Sequence, residues 1–200
     1  MLAIINKISI GLLLCGFSVN ATNNLSEYYP ISNNQLWEYS ITENGEKYNQ
    51  TVRMTSSNQE REFYIYTLGK RKSVFRFSIS EGVVFLNEMQ INWGPIPFLI
   101  PISSSSPIPV FYIDQIKHEQ WDWLGEIGYS YLKKKVRIHF TNVGYESIAV
   151  LNKIYNCVKI KTVYEDGDKL KELISWFAKG YGLVKEESSD YEKHLIFYQR

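Results

Sequence analysis

The side chains most able to do chemistry in this 200-residue chain are three histidines, a group of acids flanked by tryptophans, one isolated cysteine and a glycine pair. His118, His139 and His194 do not recur at the short spacings that hold zinc, so no metal ligand set is assigned. Glu119, Asp122 and Glu126 lie in "HEQWDWLGEIG" with Trp121 and Trp123. Carboxylates beside indole faces suit hydroxyls and sugar rings, and the acids could serve a hydrolase. Tryptophans two residues apart on a strand also form an ordinary core face. Cys157, in "IYNCVKIK", would need an activating base to act as a nucleophile, and packing within a sheet is its expected role. No Gly-x-Ser-x-Gly elbow occurs, and Ser103 to Ser106 form a polar run without a base beside them. No catalytic residue is assigned.

The glycine pair stands in "WFAKGYGLV", Trp176 to Val184. A phosphate cradle needs glycines that open a helix, whose free N–H groups face the anion. Here Leu183 and Val184 continue as a strand-like pair, Lys185 stands where a dinucleotide fingerprint has its third glycine, and no Walker Gly-Lys-Ser/Thr is present. The pair reads as a turn. No cofactor is expected.

The elements that must carry these residues are strands. Aromatic residues make up 15% of the chain, fifteen of them Tyr, in short runs shared with Val, Ile and Thr and punctuated by Gly, Asn, Asp and Ser. "LWEYSIT", "YNQTVRMTS", "EFYIYTLG", "SVFRFSIS" and "GVVFLNEMQ" read as successive strands joined by the turns "ENGE" and "SEGV". Asn44-Gly45 is a strong hairpin signal, because both residues tolerate positive φ. Phe75, Phe77 and Ile79 alternate with Arg76 and Ser78, and Val136, Ile138 and Phe140 with Arg137, His139 and Thr141. One apolar and one polar face is the mark of an antiparallel sheet over a single core. In "EFYIYTLG" both faces are apolar, so this strand is expected to be covered twice or to line a cavity. Residues 168–179 fit helical spacing as well, but the preceding Asp-Gly turn and the Gly-rich end favour a strand.

The expected fold is therefore all-β with minor α content: an antiparallel meander forming a curved sheet, half-barrel or open barrel. "NWGPIPFLIPISSSSPIPVFYI" holds five of the six prolines, and missing N–H donors argue against a central strand there. It is expected to be a long Pro-rich connection that closes over the barrel or sheet, or an irregular crossover with no ligand role.

The first residues combine Lys7, an apolar run from Ile8 to Phe17 and a small residue at Ala21, the layout of a secretory signal over residues 1–21. The remaining residues, 22–200, are expected to form one β-rich domain without an internal disulfide, since only Cys157 would persist. Lipid attachment at Cys15 ranks below simple cleavage because Leu14 is bulky. No later segment is apolar for long enough to span a bilayer as a helix. The formal net charge of +1 and the single basic cluster "YLKKKVR" argue against a nucleic-acid partner. Sequons at Asn24 and Asn49 are taken as incidental.

Tyr29, Pro30, Trp37, Tyr39, Trp176, Gly180, Gly182, Leu183 and Val184 match a loose pattern spanning most of the mature chain. The sequence thereby resembles a broad group of exported bacterial proteins and lipoproteins that begin Tyr-x-Pro, then Trp-x-Tyr, and close with Trp-x-x-x-Gly-x-Gly-Leu-Val. It departs from that pattern at Asn34-Gln35 and at "LNKIY". The resemblance implies a curved antiparallel half-barrel, similar to lipoprotein carriers, with no catalytic residues to transfer. Taken together these features suggest a periplasmic or secreted binding protein for an apolar small molecule or lipid, with Phe63, Ile65, Trp93, Phe98, Trp121 and Trp123 as candidate contacts. The alternatives are an interaction subunit bound to an envelope protein and, ranked last, an envelope hydrolase.

Overall fold

The structure, a computed structural model, describes residue 28 and residues 34–57, 60–67, 70–92, 99–112, 119–167 and 169–199. Within them lie twelve strands: β1 (Leu36–Glu43), β2 (Glu46–Ser57), β3 (Glu60–Thr67), β4 (Lys70–Ser80), β5 (Val83–Asn92), β6 (Leu99–Tyr112), β7 (Gln120–Tyr129), β8 (Leu132–Val150), β9 (Lys153–Asp166), β10 (Lys169–Ala178), β11 (Gly182–Glu187) and β12 (Tyr191–Gln199). Local chemistry sets the turns. Asn44 and Gly45 (φ 51° and 82°) join β1 to β2, and Glu81 and Gly82 (φ 52° and 76°) join β4 to β5. The glycine pair of the Trp176 motif is likewise a turn, with Gly180 and Gly182 at φ 79° and 77° between β10 and β11. Residues 169–178 are strand, as the Asp-Gly turn favours.

Neighbouring strands pair antiparallel in chain order, and β12 pairs with β1, Leu36 opposite Gln199 and Glu43 opposite Tyr191. The meander and its curvature match the period-two pattern, and the last strand joins the first to complete a ring. Register shifts place an extra residue on β4, β5, β6, β8, β11 and β12, and bend the sheet, since an extra residue on one strand kinks it and adds twist. A round barrel of this strand number would leave a wide lumen. Instead Phe111 on β6 and Phe177 on β10, four places apart in the ring, meet edge to face at 5.4 Å between centroids. The cross-section is flattened there, and the core fills it with Trp37, Tyr39, Met54, Phe75, Phe77, Ile108, Phe140, Ile160 and Leu195.

The Pro-rich stretch departs from expectation. Leu99–Tyr112 is a strand, paired with β5 along two pieces; the register breaks between Leu86 and Glu88 set Ser104 to Pro107 outside the ladder. On its other side, among the described residues, β6 pairs with β7 only at Ser103↔Gly128 and Ser104↔Ile127. Side chains bridge the rest of this seam. The Trp121 indole donates to the Pro109 carbonyl at 2.8 Å, the Trp123 indole to Ser106 Oγ at 3.0 Å, and the Glu126 N–H to Ser105 Oγ at 3.0 Å. Prolines remove ladder donors, but they keep carbonyls that an indole N–H can reach. Residues 93–98 and 113–118, the flanks of the expected connection, lie outside the described residues.

Candidate functional site

The alternation that builds the ring also sorts the candidate residues. On β7, Trp121 and Trp123 are buried on the inner side, whereas Asp122 and Glu126 are exposed on the outer side and Glu119 is exposed just before the strand. The acids and indoles therefore do not share a surface. Asp122 contacts Nδ1 of the neighbouring His139, whose Nε2 lies 3.4 Å from Glu165 Oε1. This is an external polar cluster on β7, β8 and β9, and no group of three or more His, Cys, Asp or Glu side chains that could hold a metal ion occurs among the described residues. Of the other candidates, Phe63 and Ile65 lie on β3, opposite Met54 and Val52 of β2. Their side chains, and all of Trp93 and Phe98, lie outside the described residues.

Cys157 is fully buried and free. Burial, reinforced by the charge of Glu146, pushes its thiol up to about 12, so it stays protonated and inert at neutral pH. Trp176 sits on the outer face between two ammonium groups, Lys159 at 5.2 Å and Lys185 at 4.9 Å from its ring, and its indole donates to Glu146 Oε2 at 2.9 Å. The Trp176 and Lys159 hydrogen bonds, in that order, hold the Glu146 carboxyl below its ordinary range. These groups brace the outside of the sheet.

The inside holds what the motifs did not reveal. Ile41 on β1, Lys193 on β12, Glu186 on β11, Ser175 on β10 and Ile160 on β9 form one continuous cross-strand row facing the interior. Lys193, Glu186 and Ser175 each have 0% exposure, so three polar side chains in succession are sealed into this wall. Gln50 and Thr162, at 5% and 2%, flank the row one inward position to either side. Ser175 Oγ lies 3.1 Å from Glu186 Oε2, Tyr191 hydrogen-bonds the same carboxylate, and the Lys193 ammonium lies 4.2 Å from the centre of the Tyr39 ring. Among the described residues, four buried side-chain atoms lack a hydrogen-bond partner: Gln50 Oε1, Thr162 Oγ1, Glu186 Oε1 and Lys193 Nζ. Leaving such groups buried and unmet costs about 1–3 kcal/mol each. Burial raises the Glu186 carboxyl to about 7, against the opposing pull of Lys193.

Two tyrosines mark the way in. Tyr48 is paired with Ile41, and Tyr164 lies opposite the inward-facing Ile138, so register turns both toward the interior; yet both are partly exposed. Inward-facing side chains that remain accessible are what the mouth of a barrel requires. Gln50 and Thr162 sit one inward step below them on the same strands.

Outward positions carry ion pairs, such as Lys185 with Glu187 at 2.6 Å and Lys161 with Glu172 at 2.6 Å. No helix among the described residues is long and apolar enough to cross a membrane.

No family model matches the sequence, and no curated protein sequence matches it significantly. Two solved structures share the fold. A presumed lipoprotein from Parabacteroides distasonis aligns with a TM-score of 0.54 at 11% identity, over 88% of this chain and 100% of the other. A presumed exported protein with a YmcC-like fold from Bacteroides fragilis aligns with a TM-score of 0.54 at 11% identity, over 93% of this chain and 100% of the other.

Proposed function

We propose that this chain is an exported, non-catalytic binding protein of the bacterial cell envelope that holds a lipid-like ligand at the barrel mouth. The observation that carries the reading is the pair of inward-facing but accessible tyrosines, Tyr48 and Tyr164, above a lining that includes Ile41, Ile138 and Leu173. The signal-like segment at residues 1–21 and the likeness to two presumed exported proteins support export. A ligand burying about 300 Å² of apolar surface would gain roughly 7 kcal/mol before association costs, which suits reversible carriage. Titrating delipidated protein with fatty acids and phospholipids should give a saturable change in tryptophan emission. A flat response to all of them would sink the reading.

A second reading, an interaction subunit of an envelope assembly, is favoured by the far end of the β8–β9 hairpin. Among the described residues, past Asn142 on β8 and before Cys157 on β9 neither strand has a second ladder partner, and Tyr145, Leu151 and Ile154 are exposed there. An unpaired, apolar strand edge is a template for another chain. Pull-down from membranes with the wild type and an Ile154→Lys variant tests it, a specific partner lost in the variant being the expected result.

A further inference from the structure

The basic cluster "YLKKKVR" serves neither the buried row nor the tyrosines of the mouth, yet the fold sets it beside that mouth. We propose that the tips of the β7–β8 and β9–β10 hairpins form a docking surface for an anionic lipid bilayer, with Tyr129, Tyr131, Leu132 and Leu170 entering the headgroup layer and Lys133, Lys135 and Lys171 meeting lipid phosphates. This deepens the reading above and rests on it for its purpose, the loading of a lipid at the mouth from a membrane. The docking itself needs only the surface residues.

Strand direction gathers these groups. β7 ends and β8 begins at the end of the ring where β9 ends and β10 begins, and Tyr48 and Tyr164 lie toward that same end; Lys171 is the cross-strand partner of Tyr164. Both hairpins turn tightly. Tyr129 pairs with Leu132 across a turn that holds Ser130 at φ 52°, and Asp166 pairs with Lys169 across a turn that holds Gly167 at φ 60°. The two tips adjoin, since the Lys134 ammonium meets Asp166 at 2.9 Å. Among the described residues β8 pairs with β9 only from Arg137 onward, so Leu132 to Lys135 reach beyond the paired end of β9. Short turns on paired strands hold these side chains in fixed places at the rim.

The chemistry of the tips matches a charged, half-apolar interface. Tyr131 is 86% exposed and Leu170 65%, and Tyr129 and Leu132 are exposed beside them. Apolar side chains gathered on projecting tips mark a contact surface. A soft interface takes such side chains one by one, whereas a rigid protein partner would need a matching hollow for each, and tyrosine suits the headgroup level because its ring is apolar and its hydroxyl stays wet. Lys134 and Arg137 are met by Asp166 and Glu165. Lys133, Lys135 and Lys171 carry no ion pair among the described residues, although Glu126 stands opposite Lys135 in register. Clustered ammonium groups beside apolar side chains are drawn to anionic leaflets. The opposite arc of the same end differs: Glu43, Glu46, Glu187, Asp190 and Glu192 lie along it, and among the described residues no large hydrophobic side chain is exposed there. An anionic surface repels that arc and attracts the other, which leans the barrel and turns the Tyr164 side of the mouth toward the lipid.

The test is co-sedimentation of the purified mature protein with vesicles of equal parts phosphatidylglycerol and phosphatidylcholine, compared with phosphatidylcholine alone. Binding should be at least tenfold stronger to the anionic vesicles and should fall at least tenfold as salt rises from about 0.05 M to about 0.5 M. The double variant Lys133→Glu/Lys135→Glu should bind at least tenfold more weakly, and Tyr131→Ser about threefold or more. Lys47→Glu/Lys179→Glu makes the same change in net charge, on the acidic arc and at the other end of the ring, and should bind within about threefold of the wild type. Thermal unfolding of each variant separates loss of the surface from loss of the fold. No preference for anionic vesicles overturns the proposal, and so does an equal loss in the two double variants, which would reduce the effect to net charge. Binding to soluble polyglutamate without binding to vesicles would assign the tips to an acidic polymer and also overturn it. If free fatty acids change tryptophan emission saturably while anionic vesicles are not bound, docking is overturned and the carrier reading survives. Vesicle binding lost in Lys133→Glu/Lys135→Glu, together with a flat response to free lipids, sinks the carrier reading and leaves the docking surface standing.

Discussion

Glu186 is the residue on which pH should act most directly. Its carboxyl faces Lys193, Ser175 and Tyr191, and the Tyr39 ring lies beneath the Lys193 ammonium. Burial raises its pKa from 4.5 to about 7, with Lys193 pulling the other way. The native state then binds a proton more readily than the unfolded chain, so the stability this group contributes is full below pH 4.5 and is lost as pH rises through about 7. The loss is up to about 3 kcal/mol for a shift of this size. Urea midpoints taken from pH 4.5 to 8 should fall further for the wild type than for Glu186→Gln, and parallel profiles would remove Glu186 as the cause. Lys193→Met should move the wild-type fall to higher pH, because it deletes the charge that favours ionisation. Neither residue was legible beforehand. In "LVKEESSD" and "YEKHLIF" these charges look like solvated turn and strand residues, and only the register of β11 against β10 and β12 turns Glu186 and Lys193 inward.

Among the elements, the β6–β7 seam is where sequence rules and structure part. Strands with strict alternation, such as β1 and β8, were readable because Trp37, Tyr39 and Ile41, or Val136, Ile138 and Phe140, fall on one face. Proline-rich β6 was not, because donor loss was counted without the donors that β7 side chains supply. Trp121 and Trp123 are candidate ligand contacts by type and spacing, and the structure adds that each makes a hydrogen bond to β6. Trp121→Phe keeps a ring but removes the donor to the buried Pro109 carbonyl, and should cost about 1–3 kcal/mol. Trp123→Phe should cost less from hydrogen bonding, since Ser106 is exposed and its hydroxyl can turn to water. Amide exchange should be faster along β7 than along β9, which is paired with both neighbours over most of its length, and faster still in Trp121→Phe. Equal protection of β7 and β9, unaltered by the substitution, would show that the indole does not hold the seam.

At the scale of the whole molecule, closure makes the first and last strands interdependent. β12 completes the row that carries Lys193, contributes Leu195 to the core, and covers an edge of both β1 and β11. Without it, Trp37, Tyr39 and Ile41 would lose the wall beside them, and two strand edges would stand open to aggregation. A chain truncated before Tyr191 should therefore fail to fold and should be recovered as aggregate, not as an open half-barrel. Because the buried cluster draws on β1, β2 and β4 to β12, the intact chain should unfold in a single transition, with far-ultraviolet dichroism and tryptophan emission coinciding. Two separated transitions, or a soluble truncated form with native-like dichroism, would mean that closure is an ornament on an independently stable half-sheet. In that case ligand binding should survive its removal. The ring geometry predicts the opposite: Lys193 and Leu195 belong to β12, so the fold and the buried polar row are lost in one step.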